Sequence, residues 1–396
     1  LFKIYDKMRT KVREMGRDLF MKKIKILHCA DIHFDTPFKE FKNNLSTRSK
    51  EELKDVFSKI IDLCNKEEVE IMLLAGDIFD NYTLSRNTLV FIKESLERLI
   101  DTKVFISPGN HDPYNFKSFY NLVEWPDNVH VFKGEMENVI LEDKGVCVYG
   151  AAFNENYVNS TIFKNINVDN DLINLLVIHG EIANEGSTNE YNPIYVSDIE
   201  KSDLDYVALG HRHKFSGICR VGKTSYAYSG CPQGRGFDEL GEKGVLVGEI
   251  GKDYVNLRFE KTCIRKYMEE EVNINGLFGY REIKRKILSD LKNLNLKKDI
   301  FKLNLIGELD ASFKIDEDIL QEKLSNDFYF VKVKDKTNIK IDIDSLENEN
   351  SIKGLFVKNL KKKLIDANDE EKEIVELALK IGLQSLKEEE VNLDDY

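Results

Sequence analysis

The chain has 396 residues, enough for two or three domains, and its 42% hydrophobic and 10% aromatic content excludes wholesale disorder. No apolar run approaches the roughly 18–20 residues of a membrane span, residues 1–20 lack the apolar stretch of a signal peptide, and the six cysteines show no CxxC spacing, so a reduced cytoplasmic protein that does not engage a membrane is expected. The net charge of −12 is concentrated: from Leu364 to Tyr396 eleven acidic residues face three lysines, leaving −4 for the rest and room for a local basic groove.

Met21, followed by Lys22-Lys23-Ile24, reads as an ordinary start, with residues 1–20 a dispensable upstream extension. Lys22–Cys29 is a predicted strand. Ser49–Asn65 is a predicted helix with Leu53, Val56, Phe57, Ile60 and Cys64 on one face and Ser49 with Glu52 as its capping box. Ile71–Ala75 reads as a strand and Arg86–Ile100 as an amphipathic helix carrying Leu89, Ile92, Leu96 and Leu99. Further strands are expected at Val104–Ser107, Val146–Tyr149, Leu175–Ile178 and Tyr206–Leu209, then antiparallel ones within Gly217–Ser229 and Gly244–Phe259. Near Lys261 the pattern changes. Strands at Cys263–Ile274, Ile300–Ile306 and Phe328–Val333 alternate with helices at Tyr280–Leu291 and Asp316–Leu324, a small α/β module. From Phe356 the chain reads as helical; Ile374, Val375, Leu377, Ala378, Ile381 and Leu386 give Glu371–Leu386 an apolar face that packs on its own chain or accepts a partner. The expected domains are the extension 1–20, a main domain 21–260, a capping domain 261–345 and a helical tail 346–396.

The ends of the predicted strands carry the chemistry. They read His28-Cys29-Ala30-Asp31-Ile32-His33, Gly76-Asp77-Ile78-Phe79-Asp80, Pro108-Gly109-Asn110-His111-Asp112, His179-Gly180 and Gly210-His211-Arg212-His213. Six of the seven histidines stand in these five endings, at the carboxyl edge where open α/β sheets build their sites. In Asp31-x-His33 and His211-x-His213, alternate residues of an extended segment point the same way and reach one ion. Glycine before Asp77, Asn110 and His211 allows tight turns. Nitrogen and oxygen donors without thiolate suit Mn, Fe or Zn. Seven donors exceed one tetrahedral ion but suit two ions sharing a carboxylate, about 3.5–4 Å apart, which polarise a phosphate for in-line attack.

Asp-x-His, Gly-Asp-x-x-Asp, Gly-Asn-His-Asp, His-Gly and Gly-His-x-His, in this order, resemble the calcineurin-like metallophosphoesterase superfamily. Ala30–Phe38, Tyr206–His213, Ser229–Arg235 followed by Gly241–Gly244, and Ala378–Leu383 are similar to SbcD-type DNA repair exonucleases, YhaO-like bacterial relatives in particular. Cys231 departs from that pattern, where Asn is expected. The resemblance implies an α/β fold of two facing sheets flanked by helices, with a small α/β cap and a helical tail. It implies that Asp31, His33 and His213 hold a first metal, that Asp77 bridges, and that Asn110, His179 and His211 hold a second. His111 would assist the transition state or the leaving oxygen, with Asp112 orienting it. The implied cofactors are two divalent ions, Mn2+ first, with Fe, Zn or Mg as alternatives. The implied function is a DNA nuclease that acts as a homodimer with an SMC-like ATPase docking near Leu355–Leu386.

Other residues read more plainly. Arg212 and Arg235 are candidate phosphate clamps or salt-bridge partners. His28 and Cys29 read as packing, Asp80 as support, Trp125 as a loop anchor and Lys361-Lys362-Lys363 as a solvated helix face. Two rival functions stay open: a phosphodiesterase or phosphatase on a small-molecule or other non-DNA ester, and a chiefly architectural role in binding DNA.

Overall fold

The structure, a computed structural model, describes residues 22–386 apart from 39, 42–43, 81–83, 165, 185, 187–188, 311–312, 340–345 and 348. The extension expected over residues 1–20 and the end of the acidic tail lie outside the described residues. The chain begins β1 (Lys23–Cys29), α1 (Asn44–Glu67), β2 (Ile71–Leu74), α2 (Arg86–Glu97), β3 (Lys103–Ile106), β4 (Val129–Val131), β5 (Glu137–Leu141), β6 (Val146–Gly150) and β7 (Ile173–His179). There follow the short β8 (Glu181–Ala183) and β9 (Pro193–Tyr195), α3 (Val196–Lys201), β10 (Tyr206–Gly210), β11 (Cys219–Val221), β12 (Thr224–Tyr228), β13 (Gly244–Gly251) and β14 (Tyr254–Lys261). Then come β15 (Tyr267–Asn273), α4 (Tyr280–Asp290), β16 (Ile300–Ile306), β17 (Glu308–Leu309), α5 (Glu317–Leu324), β18 (Phe330–Asp335), β19 (Asn338–Ile339), α6 (Ile352–Asp366) and α7 (Asp369–Ser385).

Two six-stranded mixed sheets, ordered β14-β13-β1-β2-β3-β4 and β11-β12-β10-β7-β6-β5, make the α/β sandwich that the sequence leads one to expect. Strand alternation sorts the side chains into cores. Ile24 and Ile26 of β1 and Ile71 and Leu73 of β2 share a core with Leu175 and Val177 of β7, Tyr206 and Ala208 of β10 and Val148 of β6. Their neighbours Leu27, Cys29, Met72 and Leu74 turn the other way, onto Val56, Phe57, Ile60 and Cys64 of α1 and Ile92 and Leu96 of α2. Leu176 and Ile178 join Ile199 and Leu204 in a third core on the far side of the second sheet. Among the described residues no helix is long and apolar enough to cross a membrane.

The capping box at Ser49 and Glu52 is not formed. Helix α1 starts earlier, at Asn44, so both residues lie inside it and are buried. Glu52 instead receives the Arg265 guanidinium, whose Nη2 is 2.8 Å away, while that guanidinium stacks 3.5 Å over the Tyr329 ring.

His28 follows Ile24 and Ile26 onto the face between the sheets. Its Nδ1 lies 2.9 Å from the Tyr206 hydroxyl and its Nε2 3.2 Å from the Leu209 carbonyl. Burial pushes this imidazole down to about 3. A group whose folded pKa lies below its unfolded value of about 6.5 supports the fold fully above that value, and the support is lost as the pH falls toward the folded pKa. Stability is therefore expected to fall between about pH 6.5 and 3, by up to roughly 1.4 kcal/mol per pH unit for this group. His28→Gln should take about one proton out of that slope in urea midpoints measured across the range; equal slopes in both proteins would place the acid sensitivity elsewhere.

Packing divides the chain into two compact units, the first running to Glu269 with Leu296–Lys302 and Phe328–Phe330, the second made from the rest. In the second unit, helices α4 and α5 bury Ile283, Ile287, Leu320 and Leu324, and the sheet ordered β15-β16-β18 buries Leu303, Leu305 and Val333. The tail that reads as helical from Phe356 is a pair of helices. It breaks at Ala367, and Asn368 and Glu371 form a reciprocal cap, each side chain accepting the other's backbone N–H at 3.0 and 3.1 Å. Val357, Leu379 and Leu383 form the small core of this pair, and Gly382 lets α7 pass so close to Phe356 that a Cβ there would meet its ring at 2.2 Å. Leu377, Ile374, Leu355 and Ile365 remain exposed.

Candidate metal centre

The ends of β1 and β2 stay zipped beyond the strands themselves. Asp31 donates its N–H to the Gly76 carbonyl at 3.0 Å, His33 to Asp77 at 2.9 Å and Phe34 to Ile78 at 2.8 Å. The segments that carry the predicted ligands are not extended, however. Asp31, His33, Asp77 and His211 have φ of 55°, 52°, 51° and 111°, a left-handed region that costs non-glycine residues about 1–3 kcal/mol each and concentrates at functional sites. The i, i+2 spacing therefore brings side chains together through tight left-handed turns and not through strand alternation. Glycine serves close approach as much as turning: a Cβ on Gly210 would sit 1.7 Å from the Ala75 carbonyl oxygen, and one on Gly109 would sit 2.3 Å from Asp77 Oδ1.

These turns draw Asp31, His33, Asp77, Asn110, His111, His179, His211 and His213 into one cluster. Asp77 Oδ2 lies 3.5 Å from His33 Nε2 and 3.4 Å from His179 Nε2. His179 Nε2 is also 3.0 Å from Asn110 Oδ1, and His213 Nε2 is 4.0 Å from Asp31 Oδ1. The His33 ring meets those of His111 and His213 edge-on at 4.7 and 5.2 Å, and His179 meets His211 at 5.3 Å. Three sets of donor atoms lie mutually within 4.8 Å: Asp31, His33, His213; His33, Asp77, His111; and Asp31, Asp77, His179.

The donor set fits divalent cations. Both ring nitrogens of His33 are buried without a hydrogen-bond partner, a costly state that a coordinated ion relieves. Burial also pushes the Asp31 carboxyl up to about 7 and raises Asp77, as expected where neighbouring carboxylates lack a counter-charge. Other contacts set the rings. His179 donates from Nδ1 to the Ala75 carbonyl at 2.9 Å, which leaves Nε2 as the outward lone pair. His213 Nδ1 lies 2.8 Å from Glu239 Oε1, and His211 Nε2 lies 3.5 Å from Glu181 Oε2. Burial lowers His179 and His211 to about 4 each, consistent with the neutral form that binds metal.

His111 is the most exposed ring of the cluster, at 37% against 32% for His213 and 21% for His211, while His33 and His179 are buried. The expectation that Asp112 orients it is corrected. The partner of His111 Nδ1 is Asp80 Oδ1, at 3.0 Å. Burial would lower His111, but the Asp80 hydrogen bond and the charges of Asp77, Asp80 and Asp112 outweigh it and raise the pKa. Burial would likewise raise Asp80; the His111 hydrogen bond, with the nearby His33 ring and Thr36, wins and holds it far below the carboxylate range. Asp112 faces the other way and ties loops together. It accepts the N–H groups of Asp77, Ile78, Phe79 and Gly109 at 2.7–3.3 Å and the Tyr120 hydroxyl at 2.8 Å.

Neither arginine is a free phosphate clamp. Arg212 pairs with Glu181 from the half-exposed rim, Nε to Oε1 at 2.8 Å. Arg235 is buried against Glu239, with Nη2 3.0 Å from His213 Nδ1. Glu181 and Glu239 were not singled out in the sequence; the one signal was that Glu239 follows the Ser229–Arg235 stretch. Cys29 is fully buried in the core between the first sheet and the helices, and Trp125 donates to the Tyr120 carbonyl at 3.1 Å.

A family model for calcineurin-like phosphoesterases matches residues 24–215. The chain is similar to the uncharacterized metallophosphoesterase YhaO of Bacillus subtilis, 28% identical over 245 residues, and the match spans 59% of each protein. It is 25% identical over 279 residues to the DNA double-strand break repair protein Mre11 of Saccharolobus solfataricus, covering 67% of this chain and 69% of that one. A component of the nuclease SbcCD of Staphylococcus epidermidis is 24% identical to it over 265 residues, covering 57% of this chain and 66% of that one.

Proposed function

Since residues 24–215 are a calcineurin-like phosphoesterase domain, we propose that the chain is a two-metal DNA nuclease of SbcD/YhaO type. The observation that carries this reading is Asp77 Oδ2, which stands 3.5 Å from the His33 ring and 3.4 Å from the His179 ring. Asp31, His33 and His213 would hold one ion, Asn110, His179 and His211 the other, and Asp77 both. Two divalent ions, Mn2+ first, would supply Lewis acidity and an activated water to a phosphodiester. The chain's own residues do the rest. Glu239 and the Ala75 carbonyl fix ring orientation, and Asp80 holds Nδ1 of His111, which leaves Nε2 to donate a proton to the departing oxygen. Residues 261–345 would act as a cap that selects the DNA end. The exposed Leu355, Ile365, Ile374 and Leu377 of the tail give an SMC-like ATPase an apolar surface to dock on. A cytoplasmic homodimer completes the proposal.

The test is Mn2+-dependent degradation of end-labelled linear duplex DNA, with His111→Gln as the matched control. Loss of label is expected with the parent chain and is expected to slow by about 10²–10⁴-fold in the variant. Hydrolysis of a small diester dye without cleavage of DNA, with or without an ATPase partner, would move the assignment to a small-molecule phosphodiesterase.

A further inference from the structure

The segment from Ser229 to Gly244 supplies none of the clustered donors, and Arg235 within it, read as a phosphate clamp or a salt-bridge partner, forms the salt bridge. Pro232 and Gln233 bond to Thr262, Ile264 and Arg265, and a second group of contacts converges on His213. The His213 carbonyl accepts the Cys231 N–H at 3.3 Å and the Lys243 ammonium at 2.8 Å, and the Cys231 thiol lies 3.4 Å from the same oxygen. On the ring side, Glu239 Oε1 is 2.8 Å from Nδ1. Glu239 is itself held: its Oε2 accepts the Arg235 backbone N–H at 2.7 Å, and the Arg235 guanidinium pairs with the carboxylate. The Arg235 carbonyl in turn accepts the Tyr267 hydroxyl at 3.1 Å.

We infer that Glu239 is a positioning residue for metal binding, and that Ser229–Gly244 is a strap whose task is to fix His213 at backbone and ring together. The inference rests on the two-metal reading above. A carboxylate on Nδ1–H selects the tautomer whose Nε2 lone pair points toward Asp31, and it makes that lone pair more basic. An unpaired buried carboxylate would be costly, and Arg235 offsets that cost, which is why this guanidinium is withdrawn from substrate. The parallel contact on the other histidine of the motif is looser. Glu181 is 19% exposed and 3.5 Å from His211, against 3% and 2.8 Å for Glu239 and His213. The strap thus makes the two ion positions unequal, with the Asp31–His33–His213 position the one that depends on Glu239.

The experiment is a calorimetric Mn2+ titration of the full chain, of Glu239→Gln and of Glu239→Asp. Glutamine keeps the shape and removes the charge; aspartate keeps the charge but draws it back from Nδ1. Both variants are expected to weaken one of two binding events by about 10–100-fold and to leave the other unchanged. Hydrolysis by both variants should call for a higher Mn2+ concentration than hydrolysis by the parent chain. A merely structural role would lower the melting temperature of metal-free protein and leave Mn2+ affinity alone, and that result overturns the inference. So does wild-type affinity in Glu239→Asp, which decides the matter should Glu239→Gln not fold. Absence of Mn2+ binding by the parent chain is the separate outcome that removes the metal reading itself.

Discussion

Asp77→Asn is expected to lower hydrolytic turnover by roughly 10³-fold or more, about 4 kcal/mol of barrier. The substitution is nearly isosteric, and Oδ1 can still accept the His111 N–H that Asp77 holds at 2.9 Å. What disappears is the charge at Oδ2, between His33 and His179, on which both ion positions would depend in the proposed two-metal centre. The same change should leave the metal-free fold as stable as before or more so, because Asp77 is a buried carboxylate whose ionisation burial opposes. The expected signature is therefore two-sided. Melting of the metal-free variant is unchanged or higher, and the rise in melting temperature on adding Mn2+ shrinks. Turnover near that of the parent chain would show that Asp77 does not bridge.

Asp112→Ala is expected to act on stability, by something on the order of 4–6 kcal/mol. Four backbone N–H groups and the Tyr120 hydroxyl lose their acceptor at a site that is 6% exposed, and each buried donor left unpaired costs about 1–3 kcal/mol. Against a typical total of about 5–15 kcal/mol this is a large fraction. Urea midpoints measure it, and Asp112→Asn, which keeps one acceptor oxygen, should fall between the two. If Asp112 acted mainly on His111, both substitutions would lower turnover and leave the midpoint in place.

The sandwich and the gathering of Asp, Asn and His side chains were legible because both follow local rules. Buried strands are short apolar runs, and each of five runs stops at a small group of Asp, Asn, His and Gly. Four kinds of information were not local. The start of α1 was missed because a plausible Ser-x-x-Glu box lies inside it, and only the tertiary pairing of Glu52 with Arg265 shows what that glutamate does. Asp80 and Asp112 were exchanged because adjacency in sequence suggested that Asp112 serves its neighbour, whereas the turn at Asn110–His111 points the two side chains apart. Glu181 and Glu239 look like ordinary surface charges until the fold sets them against His211 and His213. The left-handed turns at Asp31, His33 and Asp77 were invisible because no glycine marks those positions, and the strain there is sustained by the zipped loops around them.

The place of β13 in the first sheet has a consequence for how the chain is made. Strand β1 lies between β2 and β13, with Lys23 opposite Gly251 and His28 opposite Leu246. At about 5–20 residues per second, a ribosome delivers β13 roughly 10–45 s after β1. For that interval one side of β1, with its Ile-Lys-Ile-Leu run, is an open edge of the kind that recruits other strands. His213 and Glu239 also emerge late, so Asp31, His33 and Asp77 wait without the partners that complete their cluster. Synthesis that stops before Gly244 yields neither a closed sheet nor a working centre, which delays hydrolytic competence until almost the whole of the first unit has left the ribosome.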